Sequence, residues 1–265
     1  MDKQPLVAKG KVRLADFDPD YSGGLDKDKA KKKAREHAGQ LGALQELLYA
    51  NSRHAVLLIF QGMDASGKDG AIRSALEDVN PAGVQVANFK VPTEEERAHD
   101  FLWRVHKVIP RYGQIGVFNR SHYEAVLAER ILKIVPRRVW QERYRHIIDF
   151  ERILTENHVL LLKFYLHISK EEQAERIKER LVQPRKRWKF SLADLETRRH
   201  WDDYMIAYED MINATSHDLA PWYIVPANRN WYRDFVIAKI VVAAMEKLKM
   251  KWPRPKVDLS HIKVE

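Results

Sequence analysis

The segment that most narrows the fold is a glycine-rich turn lying between a buried-strand pattern and a helical one. An apolar run, Ala55 to Phe60, stops at Gly62-Met63-Asp64-Ala65-Ser66-Gly67-Lys68-Asp69, and an amphipathic pattern follows. Short apolar runs bounded by turns suit a strand covered on both faces, as in a parallel sheet. The turn reads G-x-x-x-x-G-K. Its glycines let backbone N–H groups converge on a phosphate while the lysine reaches the oxygens. A helix N-terminus directly behind it adds partial positive charge. The strict pattern continues with Ser or Thr, whose hydroxyl holds Mg2+, and here Asp69 stands instead. The strand–loop–helix context separates this string from an idle turn, and a phosphate site is expected.

Asp64 is the informative member of that loop. A carboxylate about 4 Å from a phosphate is repelled by several kcal/mol at an effective dielectric near 20. A divalent cation between them, Mg2+ by the chemistry of phosphate sites, resolves the conflict. The alternative is that Asp64 caps a local turn and faces solvent.

The same strand–helix alternation recurs along the chain. Val84 to Phe89, Ile115 to Phe118, Val159 to His167 and Trp222 to Val225 read as further strands. Asp26 to Asn51 reads as a helix, and Thr93 with Glu96 and Ser169 with Glu172 read as capping boxes. Ser191 with Asp194 is a weaker copy. Pro110 is expected to end the helix that Thr93 opens. The pattern predicts an α/β fold with about five parallel strands flanked by helices. One domain is expected over 1–265, with a surface arm over 1–25, a basic lid over 181–195 and a tail over 252–265.

The third strand runs into Phe118-Asn119-Arg120-Ser121-His122-Tyr123-Glu124. Phosphoryl-transfer enzymes place a metal-supporting Asp at such a strand end; here Asn119 can orient a water or phosphate oxygen without adding charge. Arg120 can clamp phosphate bidentately. Glu124 either joins it or merely completes a capping box with Ser121. Arg185-Lys186-Arg187-Trp188-Lys189 places four cations in five positions after Pro184. That run reads as a lid closing over phosphates, or as a solvated face or nucleic-acid contact.

Composition narrows the partners. Forty-six Lys and Arg against 37 Asp and Glu give a net charge of +9, which favours an anionic ligand. The absence of cysteine excludes disulfides, zinc-thiolate sites and cysteine nucleophiles, and suits a reducing compartment. No apolar run approaches the ~20 residues of a membrane helix. No N-terminal stretch has the layout of an export signal, so a cytoplasmic protein is expected. His106, His146, His167 and His200 stand singly and read as hydrogen-bonded structural residues. Trp201, Tyr204, Tyr208, Trp222 and Tyr223 read as packing.

Several blocks resemble the family-2 polyphosphate kinases: GMDASGKDG, NFKVPTEEE, FNRSHYE, PRKRWKF, WQERYRHIIDFER and PWYIVPANRNWYR. The likeness runs from about Ala8 to beyond Trp252. It implies a thymidylate-kinase-like P-loop kinase fold with a helical lid. The implied reaction moves a terminal phosphoryl group between inorganic polyphosphate and a nucleotide with Mg2+ or Mn2+. By the same resemblance Asp64 holds the metal, and Gly62, Ala65, Ser66, Gly67, Lys68, Asp69 and Arg73 grip phosphate. Arg120 stabilises charge in transit, and Arg185, Lys186, Arg187 and Lys189 descend from the lid. The nucleoside is placed near Phe89, Lys90, Val91, Pro92 and Thr93, with Arg104 at its phosphate. Asn119 with Glu124 resembles the subgroup acting on both AMP and ADP. A homo-oligomer, dimer or tetramer, is also implied. The rivals are an ATP-dependent nucleotide kinase of the same fold, a basic nucleic-acid-binding protein, and a degenerate P-loop subunit. Trp188 and Phe190 do not alternate with the cations as a nucleic-acid stacking platform does, which argues against the second. A buried carboxylate beside an anion site is costly without its metal, which argues against the third.

Overall fold

Every residue of the strand Ala55–Gln61 (β1) is buried, and only a central place in a sheet covered on both faces provides that. The computed structural model, which describes residues 7, 8, 10–260, 262 and 264, puts it there. In chain order the elements are α1 (Lys27–Asn51), β1, α2 (Lys68–Ala75), β2 (Val84–Asn88), α3 (Glu94–Arg97), α4 (Trp103–His106), β3 (Ile115–Asn119), α5 (Ala128–Ile131), α6 (Arg137–Glu156), β4 (Val159–His167), α7 (Lys170–Val182), α8 (Leu192–Arg199), α9 (Trp201–Thr215), β5 (Trp222–Pro226) and α10 (Asn230–Glu246).

The strands lie in the order β2-β3-β1-β4-β5, and every pairing is parallel. The chain leaves β1 towards one edge and β3 towards the other, so its direction reverses between these neighbours. Ligands bind outside the carboxyl ends of the strands at such a switch point. Phe60 pairs with Asn119 in the β1–β3 register, and Arg120 N–H donates to the Phe60 carbonyl at 3.0 Å. The glycine-rich turn and the Asn119–Arg120 segment therefore leave the sheet side by side. Helices α1 and α10 pack together, α10 lies on β4 and β5, and α6 lies on β4 against α9.

The α1 start follows from its side chains, because the Asp26 carboxylate accepts from the Asp28 and Lys29 N–H groups. Thr93 and Glu96 form the full capping box. Ser169 and Ser191 cap, but their carboxylate partners turn elsewhere: Glu172 to Arg176 and Asp194 to Arg180. The helix expected from Thr93 to Pro110 is instead two single turns, α3 and α4. Asp100 accepts from Leu102 N–H and starts the second turn afresh.

The expected surface arm is a strap. Val7 bridges Tyr223, and Ala8 N–H donates to the Trp222 carbonyl at 2.8 Å. Val12 and Leu14 N–H groups donate to Asn213 and Glu209 of α9, and Ala8, Val12, Leu14 and Phe17 are buried. Apolar residues spaced two to four apart in that stretch carry it across the core, a signal that its turn dipeptides mask. Residues 1–6 and 9 of the arm, and 261, 263 and 265 of the tail, lie outside the described residues. His167 and His200 are hydrogen-bonded, to the Phe17 carbonyl and Asp203. His106 and His146 instead meet the rings of Phe150 and Phe101. Among the described residues no helix is long and apolar enough to cross a membrane.

A polar cluster crosses the core beneath the β3 end. Lys163 of β4 and Glu151 of α6 are wholly buried and 2.6 Å apart. The Lys163 ammonium also donates to the Thr215 carbonyl and to the Tyr123 hydroxyl. That hydroxyl in turn donates to Glu151 at 2.6 Å. Burial favours the neutral form of Glu151, but Lys163, His122 and His217 together outweigh it and hold the carboxyl far below its usual range. The cluster clamps the turn that carries Arg120.

Candidate active site

Backbone conformation shapes the phosphate loop first. Gly62 and Gly67 have positive φ, and so does Ala65, at 63°. A Cβ on Gly67 would lie 2.2 Å from the guanidinium of Arg233. Glycine there answers two demands, the left-handed backbone and the arginine pressed against it. Lys68, at the start of α2, donates to the Gly62 and Met63 carbonyls at 2.8 and 3.1 Å. An ammonium has three protons, so one remains for a phosphate oxygen.

Asp64 and Arg120 meet across the switch point in a short ion pair, and Glu124 lies 3.7 Å from the same guanidinium. Ser121 caps its own turn by accepting from Tyr123 N–H, but Glu124 faces Arg120 and does not close a capping box. Burial pushes the Asp64 carboxyl up, yet Arg120 and Lys68 prevail and hold it below the ordinary carboxylate range. Thr197 of α8 helps to lower it, while its hydroxyl donates to the Ala193 carbonyl at 3.0 Å. Asp69 accepts from Asn119 at 2.9 Å and faces Lys189 at 3.6 Å. The residue standing where a hydroxyl was expected thus joins the β3 end to the basic segment.

These groups line a cavity of about 470 Å³. Its walls carry eight cations (Lys68, Arg73, Arg120, Arg176, Arg180, Lys186, Lys189 and Arg233) against Asp64, Asp69 and Glu179. Lys186 and Lys189 belong to the 3-10 helix Pro184–Lys189, whereas Arg185 and Arg187 of the same run stay outside the wall. Arg187 bonds the Leu181 carbonyl. Arg176, Arg180, Asn230 and Arg233 escaped the sequence reading. The one available signal was Arg176 and Arg180 four apart on one helix face, masked by the charged residues around them. Arg233 closes the block PWYIVPANRNWYR, but only the fold brings it to the loop.

The residues expected around a nucleoside surround two neighbouring cavities. One, of about 350 Å³, is lined by Phe89, Lys90, Val91, Thr93 and Arg104. The other, of about 230 Å³, includes Pro92, Arg104, Phe101, Ser121 and His122. Phe89 itself is buried, with the Phe118 ring at its edge and the Arg104 guanidinium 5.1 Å from its centre. It supports the pocket and offers no free face. Arg104 is also paired with Glu96 at 3.1 Å.

Lys68 makes the site pH-sensitive in two opposed ways. Burial, helped by Arg120, pulls its ammonium from 10.5 down to about 8. A folded value below the unfolded one means that the native state loses its proton first. Between pH 8 and 10.5 this group therefore adds stability to the free protein as pH rises. Anion affinity falls over the same interval, because the neutral amine no longer attracts phosphate. Calorimetric titration with inorganic tripolyphosphate is expected to show affinity falling through about pH 8. An identical pH profile in Lys68→Met would contradict this assignment.

A parallel sheet with a phosphate loop after its central strand, an arginine at the neighbouring strand end and a basic helical excursion define a P-loop phosphotransferase. A family model described as Polyphosphate kinase 2 matches residues 24–253. The chain is 50% identical to the AMP/ADP-polyphosphate phosphotransferase of Meiothermus ruber, covering 100% of both proteins. It is 46% identical to the ADP-polyphosphate phosphotransferase of Rhodopseudomonas palustris, over 95% of this chain and 92% of that one. The crystal structure of Polyphosphate Kinase 2 from Arthrobacter aurescens TC1 superposes with a TM-score of 0.94 at 39% identity, covering 96% of this chain and 92% of that one. The chain belongs to the Polyphosphate kinase 2 family.

Proposed function

We propose that this enzyme transfers the terminal phosphoryl group of inorganic polyphosphate to AMP and ADP, giving ADP and ATP. The observation that carries the donor assignment is the lining of the phosphate-loop cavity. Eight cations surround it, and none of its lining residues is aromatic or a large aliphatic. A nucleotide donor needs a surface for its base, whereas a polyanion needs only charge, as along nucleic-acid backbones. Acceptor nucleotides fit the less polar cavities beyond Arg120, where Pro92, Phe101 and Val91 supply apolar walls.

Phosphoryl transfer leaves the protein little covalent work, so positioning and charge neutralisation carry the rate. Arg120 lines the cation-rich cavity while Ser121, next to it in the chain, lines one of the acceptor cavities, and in this reading Arg120 faces the transferring group. Lys68 and the loop amides hold the chain end, and Arg176, Arg180 and Arg233 hold the phosphates behind it. Asp64 suits a divalent cation, because Mg2+ typically takes one or two carboxylates and completes its shell with water and substrate phosphates. No cluster of three metal-type side chains occurs among the described residues, which fits an ion held largely by its phosphates. Mg2+, or Mn2+, would supply neutralisation of the developing charge. The proposal includes transfer in line without a phosphorylated side chain, and a homo-oligomer by family resemblance.

The acceptor range is tested by supplying Mg2+, long-chain polyphosphate and either AMP or ADP, and resolving the nucleotides by chromatography. Both are expected to be phosphorylated. Turnover of ADP alone would remove AMP from the reading.

A further inference from the structure

The carbonyl of Asp64 is held by a side chain with two faces. Gln173 of α7 is completely buried. Its amide nitrogen donates to the Asp64 carbonyl at 3.0 Å, and its amide oxygen accepts from Arg198 at 3.0 Å. Arg198 lies in the last turn of α8 and also donates to the Lys170 carbonyl at 2.5 Å. Next along the loop, the Ala65 carbonyl accepts from Arg176 at 3.1 Å. Two side chains of α7 thus grip the stretch where a non-glycine residue sits in left-handed backbone, a conformation that persists only when its surroundings enforce it.

The connectivity gives this grip a consequence. Helix α8 directly follows the 3-10 helix that carries Lys186 and Lys189, so phosphate held by those lysines bears on where α8 sits. Helix α8 reaches the Asp64 carbonyl through Arg198 and Gln173. Loss of Arg198 leaves a buried amide oxygen without its partner, which frees Gln173 to turn or to draw in water.

We propose that Arg198 and Gln173 form a positioning relay that makes the catalytic placement of Asp64 depend on the seating of α8. Neither residue touches the transferring phosphoryl group. The relay rests on the phosphotransfer reading given above.

Arg198→Met and Gln173→Leu are each expected to lower kcat by ~10- to 100-fold, the scale of an ångström-level misplacement at a reacting centre. KM for polyphosphate is expected to stay within about 3-fold, because the residues that bind phosphate are untouched. The double variant is expected to be no worse than the poorer single one, as for two links in one chain. Arg198→Lys, which keeps a donor, recovers most of the rate. In hydrogen exchange, inorganic polyphosphate is expected to protect residues 62–68 in the wild type both by direct contact and through α8. Both variants are expected to keep only the direct part, so that their protection is smaller; undiminished protection would overturn the relay. A KM-only effect, multiplying losses, or a rate loss that merely follows a fall in Tm would overturn the relay. Absence of turnover in the wild type would sink the phosphotransfer reading alone, and the exchange measurement would still decide the relay.

Discussion

Asp64→Asn is expected to lower kcat/KM by roughly 10³-fold, at the upper end of what one preorganised electrostatic group contributes. The substitution keeps shape and removes charge, so the loop backbone held by Gln173 and Arg176 stays in place. What disappears is one of the two anionic partners of Arg120 and the carboxylate suited to a metal. Binding should move the opposite way. Without added metal, tripolyphosphate is expected to bind the variant more tightly, because a negative charge has left an anion site. The charge of Asp64 also helps burial raise the Asp194 carboxyl, so its removal relieves a repulsion within the fold. Kinetics and calorimetry on one preparation check both arms. Activity above a tenth of wild type, or weaker metal-free binding, would contradict the role given to Asp64.

Lys163→Met is expected to have the largest effect on stability, about 3–5 kcal/mol, the usual result of leaving one member of a buried pair uncompensated. Glu151 would remain fully buried with Tyr123 and His217 hydrogen-bonded to it and His122 3.7 Å away, and the Thr215 carbonyl would lose the Lys163 donor. At roughly 2–4 °C per kcal/mol for a chain of this size, Tm would drop by about 10 °C. The double variant Lys163→Met with Glu151→Gln is expected to regain part of that loss, since it removes the orphaned charge. Denaturant unfolding of the three proteins decides the matter. A loss below about 1 kcal/mol in the single variant would mean that water or a rearranged side chain satisfies Glu151.

Much of this was legible because the informative signals are local. Ala55–Phe60 announces a central strand through apolar continuity, and the adjoining glycines announce the turn that strand needs. Thr93 declares a helix start through capping chemistry and caps as read, whereas Asp26, read as the first helical residue, caps the helix from just outside it. The candidate site was legible where loop and strand end meet, at Asp64, Lys68, Asn119 and Arg120, because parallel pairing brings β1 and β3 together. It was not legible where distant segments converge. Arg233 reaches Gly67 from 166 positions later, and no periodicity encodes that approach. Lys163 reads as one polar residue in a strand, and its partners lie on three other segments. Arg185 and Arg187, expected beside Lys186 and Lys189, lie outside the cavity wall for a different reason. Their charge is plain in sequence, but a 3-10 turn points only some of its side chains into the cavity.

The most direct test of the donor assignment uses uniformly ³²P-labelled polyphosphate with unlabelled ADP and Mg2+, and no other nucleotide. Label is expected in the γ-phosphate of ATP, and none on the protein after acid or neutral quenching. Acid-labile label on the protein would contradict direct transfer. Unlabelled ADP left unchanged, with phosphorylation of AMP only when ATP is supplied, would contradict polyphosphate as the donor.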